Sequence, residues 1–461
     1  MRTKDLRGWS LVGVILIAGT NLANADSWEK LDDGPGGRAY HTVVLTGEDV
    51  IVWGGGRDGV FLRDGGRFNL KEKAWHAVAS ENAPSGRWFQ GAVWTGKEMI
   101  IWGGRASFSF DGHNRDGGRY DLKLERWSSI SEVNAPTPRS QFATIWTGSE
   151  MIVWGGLSDG GAELSDGARY DPEHDIWRPI APCPLAARFE PTAVWTGSEM
   201  IVFGGSNVDG ALWNSFGDGA RYNPHTDQWA LLSLEAAPSS RAVHTAVWTG
   251  NEMLIWGGRY LPDTTVLQTG ASYDPVGDSW TAIPTDGAPP PRAGHAAVWS
   301  GKEMIVWGGW DAVNEEMNSG GRYDPLSKTW LPTTLENVPA ARYFNAPHSA
   351  VWTGLGMFIY GGFDYPVSLN SAHLYDPLSV SDTVEDLIVL LNSLDLPRPI
   401  QRPLLASLDA ASRSLDQGNE TAAGNQLQTF QHKVQSQLGT QYPGPASRLI
   451  EVAQAIIDRL R

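Results

Sequence analysis

The chain has one cysteine, Cys183, among 461 residues, so no intrachain disulfide can staple it and stability must come from packing. It has no basic run either. With 36 Lys and Arg against 52 Asp and Glu the net charge is −16, which argues against nucleic acid or anionic lipid as the main partner. Beyond the first 25 residues no apolar run approaches the ~20 residues that span a bilayer. A phosphate-binding loop and an H-E-x-x-H helix are missing, so neither phosphate nor zinc-protease chemistry announces itself and no cofactor is expected. What remains, 41% hydrophobic and 19% charged residues, is the composition of a folded protein.

The first segment is of another kind. Arg2, Lys4 and Arg7 precede an apolar stretch from Leu11 to Ala18, and Ala23-Asn24-Ala25 follows. This is the pattern of a secretory signal cleaved between Ala25 and Asp26. No cysteine follows the apolar stretch, so a lipoprotein anchor is not expected, and the mature chain should be soluble outside the cytoplasm, periplasmic or secreted.

From there the chain is a repeat array. An apolar strand ending in two glycines recurs at Gly54-Gly55, Gly103-Gly104, Gly155-Gly156, Gly204-Gly205, Gly257-Gly258, Gly308-Gly309 and Gly361-Gly362, at steps of 49, 52, 49, 53, 51 and 53 residues. A period near 50 belongs to propeller blades. In one unit, Val243 to Trp248 reads as a strand and Thr249-Gly250-Asn251-Glu252 as a tight hairpin. Met253 to Trp256 returns, Tyr273-Asp274-Pro275 closes a third strand, and Trp280 opens a fourth. Tryptophan recurs at that last position at 75, 127, 177, 229, 280 and 330, but the seventh unit lacks it, while an unpartnered Trp28 follows the leader. The N-terminal segment is therefore expected to supply the outer strand of the seventh blade, since an open ring would leave two unpaired edges. The recurring Arg, Gly-Gly, Tyr-Asp-Pro and Trp resemble the kelch family, which implies an all-β, seven-bladed propeller of four-stranded blades over residues 26–378.

Residues 382–461 change period. Val384, Leu387, Ile388, Leu391 and Leu394 form a helical stripe, repeated over Leu404 to Leu415, Ala422 to Leu438 and Ala446 to Leu460, so a small four-helix domain is expected. Leu404 to Ala411, Gly418-Asn419, Asn425-Gln426-Leu427, Phe430 and Ala453 to Ile457 resemble the FIMAH module appended to secreted bacterial proteins, which implies an extracytoplasmic bacterial setting and no chemistry.

Each blade opens with an arginine: Arg38, Arg87, Arg139, Arg188, Arg241, Arg292 and Arg342. By the kelch resemblance they lie near the mouth of the central channel, where seven guanidiniums would hold a carboxylate, a sulfate or an acidic loop, or would serve the repeat by pairing with a neighbouring carboxylate or carbonyl. His41, His244, His295 and His348 align on four contiguous blades, as a transition-metal arc or as partners of neighbouring backbone. Tyr40-His41 is similar to a pair in the galactose oxidase type of kelch enzyme, but Cys183 sits before the fourth blade, where a half-buried filler is expected. The variable loops after each Gly-Gly escape the repeat and offer Phe108, Phe110, Asp111 and His113, then Trp213, Tyr260, Trp310 and Tyr365. Asp64, Asp116, Asp166 and Asp218, each followed by Arg67, Arg119, Arg169 or Arg221, read as blade-to-blade ion pairs. Glu190 is the one acid at a channel-mouth position that the other blades lack.

These features favour a binding propeller that recognises a protein or glycan through its loop face, with no nucleic acid partner. A sugar epimerase, a galactose-oxidase-like oxidase and a structural surface protein are the alternatives.

Overall fold

The computed structural model describes residues 26–109, 111–313, 315–342, 349–354, 356–364 and 366–377, and beyond them 384–385, 387–388, 391–392, 396–439, 446, 449–450, 452–454, 456–457 and 460. The expected leader, Phe110, His348 and Tyr365 lie outside the described residues. The chain divides into two compact units, and residues 26–377 form one of them.

That unit contains seven four-stranded antiparallel sheets. In the fifth blade the strands are Thr245–Trp248, Met253–Trp256, Gly270–Asp274 and Ser279–Ile283, paired in chain order. The second strand of every blade is apolar at nearly every position because blades cover it on both faces, so it lacks the alternation of a half-exposed strand. The hairpin before it turns at a glycine with positive φ, +103° at Gly250, and Thr249 Oγ1 accepts the Glu252 amide at 2.9 Å.

Blade contacts repeat seven times. The residue before each Gly-Gly meets the outer-strand tryptophan of the next blade: Trp53–Trp127 at 5.4 Å, Trp102–Trp177 at 5.1 Å, Trp154–Trp229 at 5.7 Å, Phe203–Trp280 at 5.1 Å and Trp256–Trp330 at 4.4 Å. Trp28–Trp307 at 5.3 Å and Trp75–Tyr360 at 5.2 Å complete the circle. Each of these tryptophans also donates its indole N–H to a carbonyl just past the preceding blade's outer strand, as Trp127 does to Ala79 at 2.7 Å and Trp28 to Thr334 at 3.2 Å. An acid two residues before the tryptophan adds a second staple: Asp175, Asp227 and Asp278 accept a phenol from Tyr170, Tyr222 and Tyr273 and an amide from the preceding blade.

The seventh blade is closed as the sequence predicts. Ser27–Lys30 pairs with Ala372–Asp376, with Trp28 opposite Tyr375. Asp26 is the next copy of the staple, accepting from Tyr375 and from the Thr334 amide.

The other unit includes two complete helices, α1 (Arg398–Asp416) and α2 (Glu420–Leu438). Asn419 caps α2 by accepting the Ala422 amide at 3.0 Å. Leu404 and Leu408 of α1 and Leu427, Phe430 and Val434 of α2 share one core with Val384, Leu387, Leu449 and Ile456, which accounts for the helical stripes. No described helix is long and apolar enough to cross a membrane.

Candidate functional site

The arginines that open the blades belong to the scaffold. Arg38, Arg87, Arg139, Arg188, Arg241 and Arg292 are fully buried and Arg342 is 2% exposed. Arg139 shows the pattern, donating to the carbonyls of Gly155 and Asp166 at 3.0 Å each and to the Asp166 carboxylate at 2.9 Å. The guanidiniums of the first six blades thus tie the end of their own second strand to the start of their third, while Arg342 donates to Ala340 and Ser371. Of the two roles open to this ring, the geometry favours service to the repeat, because these donors are not turned to a ligand.

Asp64, Asp116, Asp166 and Asp218 accordingly pair with the arginine of their own blade, which corrects the expectation that these acids make blade-to-blade ion pairs; among the arginines that follow them, Arg67 does pair across blades, with Glu125 at 3.0 Å. The other three reach the next blade onto carbonyls: Arg119, Arg169 and Arg221 donate to Pro172, Pro224 and Pro275. Blades five to seven replace the acid by Thr269, Ser319 and Ser371. Without a carboxylate beside them, burial pushes Arg241 and Arg292 down to about 10, and Arg342 also to about 10 although Asp364 opposes it.

The histidines fill joints between blades. His244 and His295 lie 2.8 Å from the hydroxyls of Thr192 and Thr245 on the preceding inner strands, so a side chain is a partner where backbone was expected. Their rings sit where a Cβ on Gly204 or Gly257 would fall, at 2.5 and 2.7 Å, which is why glycine is required there. His41 packs likewise against Gly361. Burial, and then Arg241, pushes His244 down to about 3. Among the described residues no three His, Cys, Asp or Glu side chains converge as a metal set. Cys183 packs against the joint of blades three and four, on other blades from Tyr40 and His41, with its thiol pushed up to about 11 by burial.

Two residues beyond the arginine in the first six blades, Tyr40, Phe89, Gln141, Glu190, Val243 and Gly294 all have positive φ, from 54° to 62°. Phe89 N–H donates to Tyr40, Gln141 to Phe89 and Glu190 to Gln141, so these residues form an arc joined across blades. Their side chains differ. Tyr40 and Phe89 meet at 4.6 Å, and Gln141 Nε2 donates to Glu190 Oε1 at 2.6 Å. Burial raises the Glu190 carboxyl, against the Gln141 hydrogen bond and the charge of Arg105.

The loops after Gly-Gly lie on this same face, because the residue after each arginine bridges to the residue after each glycine pair, as Trp88 does to Arg105 and Ala39 to Gly56. Between blades seven, one and two they enclose a recess of about 370 Å³ lined by Tyr40, Arg57, Asp58, Val60, Trp88, Phe108 and Phe363. Trp88 is its hub, with Tyr40, Phe61 and Phe108 each at 5.0 Å. Phe108 is 62% exposed. Its loop is anchored: His113 Nδ1 lies 2.9 Å from Asp159 Oδ1, His113 Nε2 lies 3.0 Å from Ser140 Oγ, and Asp111 accepts the Gly160 amide. Ser140 is fully buried, so this Ser-His-Asp chain fastens two loops and offers no nucleophile.

The other loop candidates are dispersed. Trp213 is half exposed and meets Phe189 edge-on at 6.0 Å. Tyr260 is partly buried in the short strand Arg259–Tyr260. Trp310 is 8% exposed and packs with Val266 and Ala293, so it serves the scaffold and is not a platform.

A model of the KLHDC2/KLHL20/DRC7 Kelch-repeats domain matches residues 40–258 and 243–389, and one of the FIMAH domain matches residues 381–458. The chain is similar to the Kelch-like protein terF of Aspergillus terreus, 28% identical over 233 residues, 47% of this chain and 50% of that protein. It is also similar to the host cell factor homolog hcf-1 of Caenorhabditis elegans, 24% identical over 301 residues, 53% of this chain and 36% of that protein. The chain thus spans half or less of the length of these relatives.

Proposed function

The chain belongs to the Kelch-repeat domain family, and we propose that it is an extracytoplasmic interaction propeller which recognises a protein or glycan partner through its loop face. The aromatic recess between blades seven, one and two carries this reading. Most of the repeat spends its polar groups on its own closure, whereas here Phe108 and Val60 stand exposed around Trp88 and Tyr40, with Arg57 and Asp58 beside them. A half-open apolar recess with a few polar groups, on loops fixed by a rigid ring, is the usual form of a recognition site. The leader-like residues 1–25 and the FIMAH domain support a setting outside the cytoplasm.

The test is a comparison of the wild-type chain with Phe108→Ser on glycan arrays and in pull-downs from the native envelope and medium. Phe108 is mostly exposed, so the substitution should leave stability within about 0.5 kcal/mol. Ligands that the wild type retains and the variant loses support the reading. Retention of the same ligands by both would refute it.

A further inference from the structure

The channel mouth beside the recess holds a guanidinium of a different kind. Arg105 follows the second glycine pair, and its Cζ lies 5.4 Å from the ring of Trp88 and 5.5 Å from that of Phe89. Its Nε is buried with no hydrogen-bond partner, and the side chain makes no hydrogen bond or ion pair with any described residue. The framework arginines donate several hydrogen bonds each, so Arg105 stands apart from the seven that the repeat employs. A planar cation laid on aromatic faces, with terminal donors unspent, matches a carboxylate in the bidentate geometry that guanidinium favours.

The surroundings sharpen the chemistry. On one side of the mouth the buried charges of Arg241 and Arg292 have hydroxyl partners and no carboxylate from their own blades, which leaves that sector positive in a chain of net charge −16. On the other side Glu190 and Gln141, hydrogen-bonded at 2.6 Å, present a planar carboxyl and amide. The carboxyl facing Arg105 is that of Glu190, with the phenol of Tyr40 beside it. A peptide rich in Asp and Glu would bring repeated charges towards Glu190 and Asp58. A sugar acid brings one carboxylate per ring for Arg105, an apolar ring face for the aromatic rings, and hydroxyl donors for Glu190 and Gln141.

We propose that the channel mouth bounded by Tyr40, Phe89, Arg105, Gln141 and Glu190 is a subsite for a uronic acid residue of an acidic glycan, with Arg105 holding its carboxylate. This rests on the loop-face reading and commits it to a glycan.

The test is titration calorimetry of the full chain with trisaccharides of galacturonate, glucuronate and mannuronate, each beside its carboxyl-reduced neutral analogue, and with a hexaglutamate peptide. At least one acidic trisaccharide should bind ten times or more tightly than its neutral analogue. Arg105→Met should abolish that preference, while Glu190→Gln should weaken the acidic and neutral forms together. Near-ultraviolet circular dichroism confirms that both variants are folded. Binding of none of the trisaccharides, binding of hexaglutamate alone, or an Arg105→Met affinity within twofold of the wild type would overturn the proposal. In any of these cases a ligand lost by Phe108→Ser would leave the loop-face reading standing, and its retention would remove both.

Discussion

Trp28→Ala isolates the closure of the ring. Trp28 is 5% exposed, meets Trp307 at 5.3 Å and Tyr375 at 4.8 Å, and donates its indole N–H to Thr334 at 3.2 Å. Truncating a buried aromatic costs about 3–5 kcal/mol, and the Thr334 carbonyl loses its donor as well. Trp127 makes the same set inside the chain: Trp53 at 5.4 Å, Tyr120 at 5.2 Å and Ala79 at 2.7 Å, at 4% exposure. Equilibrium urea denaturation of Trp28→Ala and Trp127→Ala should therefore give losses within about 1 kcal/mol of each other, both near 4 kcal/mol. A loss below about 1 kcal/mol for Trp28→Ala alone would mean that the N-terminal strand is dispensable. That result would refute the reasoning, because the ring would then be stable with the outer edge of Ala372–Asp376 unpaired.

Other predictions follow from the same contacts. Arg139→Met should cost about 3 kcal/mol in denaturation by stranding the carbonyls of Gly155 and Asp166, and should leave loop-face binding within twofold. The acid limb of stability should come in two parts. Burial holds His244 down at about 3 and His373 at about 4, whereas both titrate near ~6.5 when unfolded, so stability is full above ~6.5 and falls by up to about 1.4 kcal/mol per pH unit for each as pH drops towards the folded values. His244→Asn/His373→Asn should flatten that part of a melting-temperature profile. The carboxyls of Asp227 and Asp278 are held low, chiefly by the phenols of Tyr222 and Tyr273, so their contribution persists above ~3.9 and is lost as pH falls further; Asp227→Asn/Asp278→Asn should weaken only this lower part.

The ring was legible because each blade solves the same packing problem. Trp28 was placed by being a tryptophan without a strand, and the missing seventh copy named its partner. The arginines were visible but their role was not, because a residue present in every blade fits a symmetric ligand as well as a symmetric scaffold; burial separates the two. Of the channel-mouth arc, Glu190 was visible as an acid in an unusual register, but the arc itself was hidden. Tyr40, Phe89, Gln141, Glu190 and Val243 share a left-handed backbone that their side chains do not advertise, and the one hint in register was Gly294. Arg105 resembled any loop arginine until the rings of Trp88 and Phe89 were seen beneath it. Ser140, His113 and Asp159 come together from separate loops of adjacent blades, so no motif joins them.

Hydrogen exchange of the propeller, free and with a ligand that depends on Phe108, tests the loop-face reading most directly. Protection is expected in residues 39–60, 86–90, 105–109 and 363–364, with the outer-rim turns around Leu124, Val276 and Leu326 unchanged. Protection confined to those rim turns, with the Trp88 sector exchanging as before, would contradict it.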